Sequence, residues 1–392
     1  MNSKILPNIP DNVWVLGFVS LLTDISTEMI HSVLPLFLVS SLGANLLTVG
    51  SIEGIAESTA SILKVFSGAL SDYLGRRKQL AIIGYGLSTL VKPLFAVAIN
   101  PTWVLVARFG DRLGKGIRVA PRDALVADVT DAANRGAAYG LRQSLDTIGA
   151  FLGPLAAFGL MSVSGQNFRL VFGLAVIPGI LAVALLAKGI REPKTTLTHQ
   201  RNNPLNWTSL QSLSKSYWSL VMVALLFNLG NSSDAFLLLR AEQVGIAANF
   251  IPLTLVVMNL AYSLSAYPVG LLSDRIGKIG LLSNGLLLYA LTYLGFAFVD
   301  RTWQVWLLFA LYGLDQGMSQ GLLSALIADR VPANLRGTAF GVINLATGIA
   351  LLPASLIAGS LWETINSQAT FICGSIFAFS AIALLLITIR NN

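Results

Sequence analysis

The chain has 392 residues, of which 54% are hydrophobic and 11% charged, with a formal net charge of +7. A soluble protein carries about a quarter of its residues as charges to build a polar exterior, so this composition excludes a soluble fold and indicates a polytopic membrane protein. The basic excess then reads as a topology signal rather than a nucleic-acid footprint, and the one cysteine, Cys373, excludes an intramolecular disulfide and a cysteine metal cluster.

Apolar runs of bilayer length, roughly 20 residues, follow one another along the chain. The first, from about Trp14 to Val39, contains Asp24 and Glu28 and exceeds a signal-peptide core, so it is read as a retained span. Further spans fall near 46–70, 79–99, 102–127, 136–161 and 168–188, then near 216–240, 246–272, 279–299, 302–328, 337–361 and 368–389. The only long polar stretch, REPKTTLTHQRNNPLNWTSLQSLSKS, separates the two sets of six. The predicted architecture is an all-α membrane protein of twelve transmembrane helices. It divides into a six-helix bundle over 1–190, a central linker at 191–215 and a second bundle over 216–392. The loop lysines and arginines, from Arg76, Arg77 and Lys78 to Arg330 and Arg390, fall on one side of this map, with Arg169 and Arg301 as the main exceptions. Both termini and the linker are therefore expected in the cytoplasm.

Several spans carry charge. Span 1 places Asp24, Glu28 and His31 on one helical face, and span 2 does the same with Glu53, Glu57 and Lys64. Span 4 departs furthest from an apolar helix. In RFGDRLGKGIRVAPRD, helical geometry gathers Arg108, Arg112, Lys115, Arg118 and Arg122 into roughly a third of the circumference, with Asp111 beside them. Each such residue costs about 2.5–3.5 kcal/mol near the centre of a bilayer helix, so the stripe has to face the protein interior. Span 5 adds Arg142 and Asp146. The second half offers Asp234, Arg240 and Asp315, with Asn228, Asn231, Asn259, Tyr262, Gln316 and Gln320. Two readings stand side by side. The first half carries protonation and ionic recognition while the second supplies a more neutral, hydrogen-bonding wall, or the charges only pair to hold spans 1, 2, 4 and 5 together. A nucleotide loop is excluded, because the glycine spacing falls one short of G-x-x-x-x-G-K-[ST] and Gly116 stands where the hydroxyl belongs.

The two halves repeat each other. GALSDYLGRRKQL (68–80) recurs as GLLSDRIGKIGLL (270–282), and ADVTDAANRGAAYG (127–140) recurs as ADRVPANLRGTAFG (328–341). Such internal symmetry signals a transporter whose halves rock about a midplane site. On these motifs the chain resembles the major facilitator superfamily over its whole length. That family's G-x-L-a-D-r-x-G-r-k signature is met by Gly68, Leu70, Ser71, Asp72, Gly75, Arg76 and Arg77, with Tyr73 in place of the usual basic residue. Gly270, Leu272, Ser273, Asp274, Arg275, Gly277 and Lys278 repeat it. The resemblance implies a conformational latch of Asp72, Arg76, Asp128 and Arg135, mirrored by Asp274, Asp329 and Arg336. Arg112, Lys115 and Gly116 are similar to the R-x-x-q-G run of proton-coupled members, with lysine replacing glutamine. Gly140, Gly149, Gly153 and Pro154 are similar to the G-x8-G-x3-G-P pattern of antiporters, with Ala157 replacing its final glycine.

The expected function is secondary active transport of an organic, anionic or zwitterionic solute by alternating access coupled to protons, leaning to efflux by antiport. Proton-symport uptake of an anionic metabolite or a carboxylate-rich metal chelate is one alternative; a lipid flippase or a non-transporting receptor is another. Neither an enzymatic reaction nor a cofactor is expected. Substrate contacts are expected from Arg112, Lys115, Arg118, Arg142, Asn228, Asn231 and Gln316, and proton coupling from Asp24, Glu28, Glu53, Glu57 and Asp146; no metal site is expected. The expected partners are a small-molecule solute, protons and the lipid bilayer, without nucleic acid or nucleotide, for a monomer in the bacterial cytoplasmic (inner) membrane.

Overall fold

The computed structural model describes residues 9–74, 76–131, 134–190, 213–331 and 335–390, and the regular structure among them is helical. Among these residues, twelve helical segments follow in chain order. They are α1 (Asp11–Ser41), α2 (Leu46–Leu74), α3 (Arg77–Val97), α4 (Pro101–Asp128), α5 (Arg135–Val163) and α6 (Phe168–Gly189). After the central polar stretch, most of which lies outside the described residues, come α7 (Lys215–Gln243), α8 (Ile251–Ile276), α9 (Lys278–Phe298), α10 (Thr302–Arg330), α11 (Arg336–Thr364) and α12 (Ser367–Arg390). Eight of them (α1, α3, α5, α6, α7, α9, α11 and α12) are long and apolar enough to cross a membrane. With 28 residues α4 has the length, and its charges interrupt the apolar run.

Side chains set the helix ends. The side-chain oxygen of Asn100 accepts from the Trp103 N–H at 3.3 Å ahead of α4, and that of Asn167 from the Leu170 N–H at 3.1 Å ahead of α6. Pro101 adds a fixed φ in the first turn of α4. At the C-terminal ends, cations meet the carbonyls that a helix leaves unbonded. The Arg169 guanidinium donates to Ala96 O and Ala98 O, both at 2.7 Å. Lys78 Nζ donates to Ala187 O at 2.9 Å and Ile190 O at 2.7 Å. Arg169 thus caps the C-terminal end of α3.

Two helices are broken where the sequence suggests continuous spans. The α-helical turns of α1 stop at His31 and resume at Leu34, where Pro35 removes a backbone donor, and the chain continues as a π-turn over Phe37–Ser41. In α7 the break runs from Asn231 to Asp234, within the turn-forming sequence GNSSD. Backbone groups freed inside a membrane need partners from the protein. Gly230 O receives one from Tyr289 Oη at 3.0 Å, and the Ala235 N–H donates to Ser233 Oγ at 3.3 Å. The breaks contain Ser32 and Ser232, at similar places in the two halves.

By their contacts the helices form two compact units, Met1–His31 with Leu63–Asn202, and Ser32–Ile62 with Asn203–Asn392. In the first, α1 packs on α5 and α6, and α3 on α4; in the second, α8 packs on α10, α9 on α10 and α12, and α7 on α11 and α12. The first half of α2 packs closely on α11. A Cβ at Gly50 would meet Ser355 O, one at Gly54 would lie 3.1 Å from Leu352 Cα, and one at Gly359 would lie 2.5 Å from Leu46 O.

Arg240 is the main polar tie of the second unit. It is buried, and it donates to Phe296 O at 3.0 Å, Ala297 O at 3.3 Å and Val299 O at 3.0 Å, and to Ser367 Oγ at 3.2 Å and Gln243 Oε1 at 2.8 Å. These bonds close the C-terminal end of α9. Arg240→Ala leaves those carbonyls without donors and is expected to cost about 3 kcal/mol, read as a fall in the thermal midpoint of detergent-purified protein. Arg240→Lys should recover only part of it, because one ammonium cannot reach acceptors spread around a planar fork.

Candidate functional site

The charged centre of the first unit is assembled by two glycine contacts. A Cβ at Gly114 would lie 2.5 Å from Gly84 O and 2.8 Å from Ser88 N, so α3 and α4 touch backbone to backbone. That approach lets Ser88 Oγ donate to Asp111 Oδ1 and sets Arg118 over the Tyr85 ring, 4.7 Å from its centroid. A cation on an aromatic face gains about 2 kcal/mol when both are desolvated. Arg112 Nε stands 3.8 Å from Asp111 Oδ2. Arg108, Asp111, Arg112 and Arg118 are each no more than 5% exposed, whereas Lys115 is half-buried. The stripe therefore faces the interior, as the cost of exposing it to lipid requires.

The second contact joins α1 to α5. A Cβ at Gly149 would lie 2.6 Å from Leu21 O and 3.0 Å from Asp24 Cβ; one at Gly153 would lie 2.7 Å from Glu28 Cβ. Two glycines of the antiporter-like pattern thus serve close helix packing, while a Cβ at Gly140 would meet nothing within 4 Å. The approach seats Asp24 against Gly149, one turn of α5 from Asp146. Around that pair, Arg142 Nη1 donates to Asp146 Oδ2 at 3.3 Å, Arg122 Nη1 lies 3.9 Å from Asp146 Oδ1, and Arg122 Nε donates to Asp123 Oδ1 at 3.0 Å. Arg142 also reaches Gln143 Oε1 at 2.8 Å, and Glu28 faces His31 Nδ1 at 3.4 Å.

Glu53 and Glu57 sit on the part of α2 that groups with the second unit. Glu53 is buried and accepts from Ser233 Oγ at 3.4 Å, next to the break in α7; Glu57 is half-buried. In the loop motifs, Asp128 is engaged by Arg77 at 2.6 Å and Asp329 by Lys278 at 2.6 Å. Arg76 and Arg135 are exposed, and the side chains of Asp72, Asp274 and Arg336 lie outside the described ones. Each described pair ties the start of a third span to the end of a fourth within one unit, and the same device occurs in both halves.

The second unit holds a cavity of about 340 Å³ between α7, α9, α10 and α11, within the range typical of small-molecule sites. Asn228, Asn231 and Gln316 all line it, with Phe227, Tyr289, Tyr312 and Asp315. Tyr312 Oη donates to Asp234 Oδ1 at 2.9 Å, and the Tyr289 and Tyr312 hydroxyls each lie 3.4 Å from Asn231 Oδ1. The broken segment of α7 is thereby pinned to two tyrosines from other helices.

Lys92 escaped the sequence reading. It is 1% exposed, at the joint before Pro93 in α3, and its Nζ donates to Ser26 Oγ at 2.6 Å and Thr27 Oγ1 at 3.1 Å. The signal was a lysine inside the apolar run STLVKPLFAVA, where an ionisable residue marks function by default. Arg77 and Lys278 were also passed over as ion-pair partners, and Tyr289 and Tyr312 carry no periodic mark.

The chain matches the family model of the Major Facilitator Superfamily over residues 16–239 and 235–392. It is 33% identical over 384 residues to an uncharacterized MFS-type transporter of Methanocaldococcus jannaschii, covering 96% of this chain and 94% of that one. It is 25% identical over 326 residues to the class C tetracycline resistance protein of Escherichia coli, covering 79% of this chain and 80% of that one. The solved structure of the nucleoside transporter NupG has a TM-score of 0.79 at 14% identity, covering 96% of this chain and 99% of that chain, a likeness of fold. Twelve helices, loop motifs repeated in both halves and a family match along nearly all of its length together make this chain a multi-pass membrane transporter that belongs to the Major Facilitator Superfamily.

Proposed function

We propose that the protein exports an organic solute bearing anionic groups by alternating access, in exchange for protons. The observation that carries this reading is the close approach of α1 and α5 at Gly149 and Gly153, which places Asp24 one helical turn from Asp146. Two buried carboxyl groups held this near each other favour a proton on one of them. Loss of that proton sets two carboxylates against each other where Gly149 and Gly153 leave no slack between the helices. Arg122, Arg142 and Asp123 surround the pair and hold its charge balance close to neutral. Arg112, Lys115 and Arg118 supply the cations for an anionic solute, and Asn228, Asn231 and Gln316 supply hydrogen bonds. Similarity to a tetracycline resistance protein supports the outward direction. In this reading the protein is a monomer of the bacterial cytoplasmic membrane with both termini inside.

The test uses the full chain in proteoliposomes, with an interior pH dye and tetracycline as a zwitterionic probe. An imposed pH gradient is expected to drive accumulation in wild type. Asp24→Asn and Asp146→Asn are expected to lose gradient-driven accumulation by about tenfold or more while tetracycline exchange without a gradient persists. Arg112→Ala and Lys115→Ala are expected to lose both. Wild-type turnover that ignores the gradient would remove the proton from the mechanism.

A further inference from the structure

We propose that the cavity between α7, α9, α10 and α11 is a subsite for a cationic group, a protonated amine or quaternary ammonium, with Asp315 as its counter-charge and Phe227, Tyr289 and Tyr312 as its aromatic walls. Four observations converge. Asp315 is 1% exposed, and its Oδ1 has no hydrogen-bond partner among the described residues. A buried carboxylate left without a donor is costly, so this side chain is set to gain a compensating positive charge from a ligand. Among the described residues, those lining the cavity include this carboxylate and no lysine, arginine or histidine. An anion there would meet a like charge and no cation, whereas a cation meets its complement.

The rings supply the second half of the recognition. Phe227 stands edge-on to Tyr289 at 4.8 Å, and the Tyr289 and Tyr312 centroids lie 6.1 Å apart at 48°. Aromatic faces turned at such angles around a small hollow attract an ammonium through their quadrupoles. Finally, the cavity abuts the break in α7 at Asn231, and interrupted membrane helices mark the binding regions of secondary transporters.

This inference rests on the reading of the protein as a solute transporter and narrows its cargo.

The experiment measures binding directly and so is independent of proton coupling. Benzyltrimethylammonium, its neutral carbon isostere neopentylbenzene and benzenesulfonate are titrated into the full chain purified in detergent, by calorimetry and by thermal shift. The cation is expected to bind, the isostere about 10- to 100-fold more weakly, and the sulfonate weaker still in this cavity. Asp315→Asn is expected to weaken the cation by a similar factor and leave the isostere unchanged, while Asp315→Glu retains preference for the cation. Equal binding of cation and isostere by wild type, or unchanged cation affinity in Asp315→Asn, overturns the proposal. The wild-type comparison decides it even where a variant fails to fold. A protein that binds the cation yet shows no gradient-driven transport keeps this subsite and loses the proton-exchange reading.

Discussion

Asp111→Ala is expected to leave little folded protein in the membrane. Asp111 is the carboxylate on which Arg112, Lys92, Arg118 and Arg108 all act, and it is held by Ser88 Oγ. Removing one partner from a buried ionic cluster costs about 3–5 kcal/mol, because the remaining cations keep their desolvation penalty and lose their counter-charge. Total stabilities of about 5–15 kcal/mol make that a large fraction. The measurement is the yield of monodisperse protein from detergent extracts, with its thermal midpoint. Ser88→Ala is the graded control. It removes one neutral donor and is expected to cost about 1 kcal/mol. If Asp111→Ala melts with wild type, the cations of α4 are neutralised by other groups and the cluster does not depend on this carboxylate.

The second large effect is steric. Gly114→Val places a branched side chain where Gly84 O and Ser88 N already stand at 2.5 and 2.8 Å from the new Cβ. Backbone atoms cannot swing aside as a flexible side chain can, so α3 and α4 must separate. Overpacking of a well-filled contact costs about 1–3 kcal/mol, and more where backbone must move. Separation also withdraws Ser88 from Asp111 and Tyr85 from Arg118, so the steric and electrostatic losses add. Loss of folded protein is expected, read by size-exclusion and melting. At Gly86, two residues from Gly84 on the same helix, an added Cβ would meet nothing within 4 Å. Gly86→Ala is therefore expected to be neutral or slightly stabilising, by about 0.5–1 kcal/mol from helix propensity. Equal tolerance at both positions would mean that helix approach at Gly114 is not what builds the cluster.

The residues that folding handles locally were legible from the chain. Apolar runs of bilayer length gave the twelve helices, because lipid forces every backbone group to bond within its own segment. The stripe on span 4 announced its inward direction, since its cost in lipid leaves no other solution. Glycines of span 5 announced close packing, and Gly149 and Gly153 provide it. Legibility ended where the outcome depended on distant partners. The loop motif pointed to Arg76, but Arg77, the first residue of α3, pairs with Asp128, while Arg76 stands exposed ahead of the helix with a non-helical backbone. Lys92 looked like one polar residue in an apolar run until Ser26 and Thr27 of α1 arrived to bind it.

The sequence by itself determined that this protein is a membrane-embedded helical transporter of two repeated halves, with its cations turned away from lipid. Those features follow from hydrophobic length, charge cost and repetition, which are properties of the chain alone. Only the tertiary structure decided that α1 and α7 are broken, that α5 seats Asp24 against Gly149, and that Asp315, Phe227, Tyr289 and Tyr312 line one hollow. Each of these depends on how closely two backbones approach, and the chain encodes that distance through glycines whose partners become known only when the helices pack.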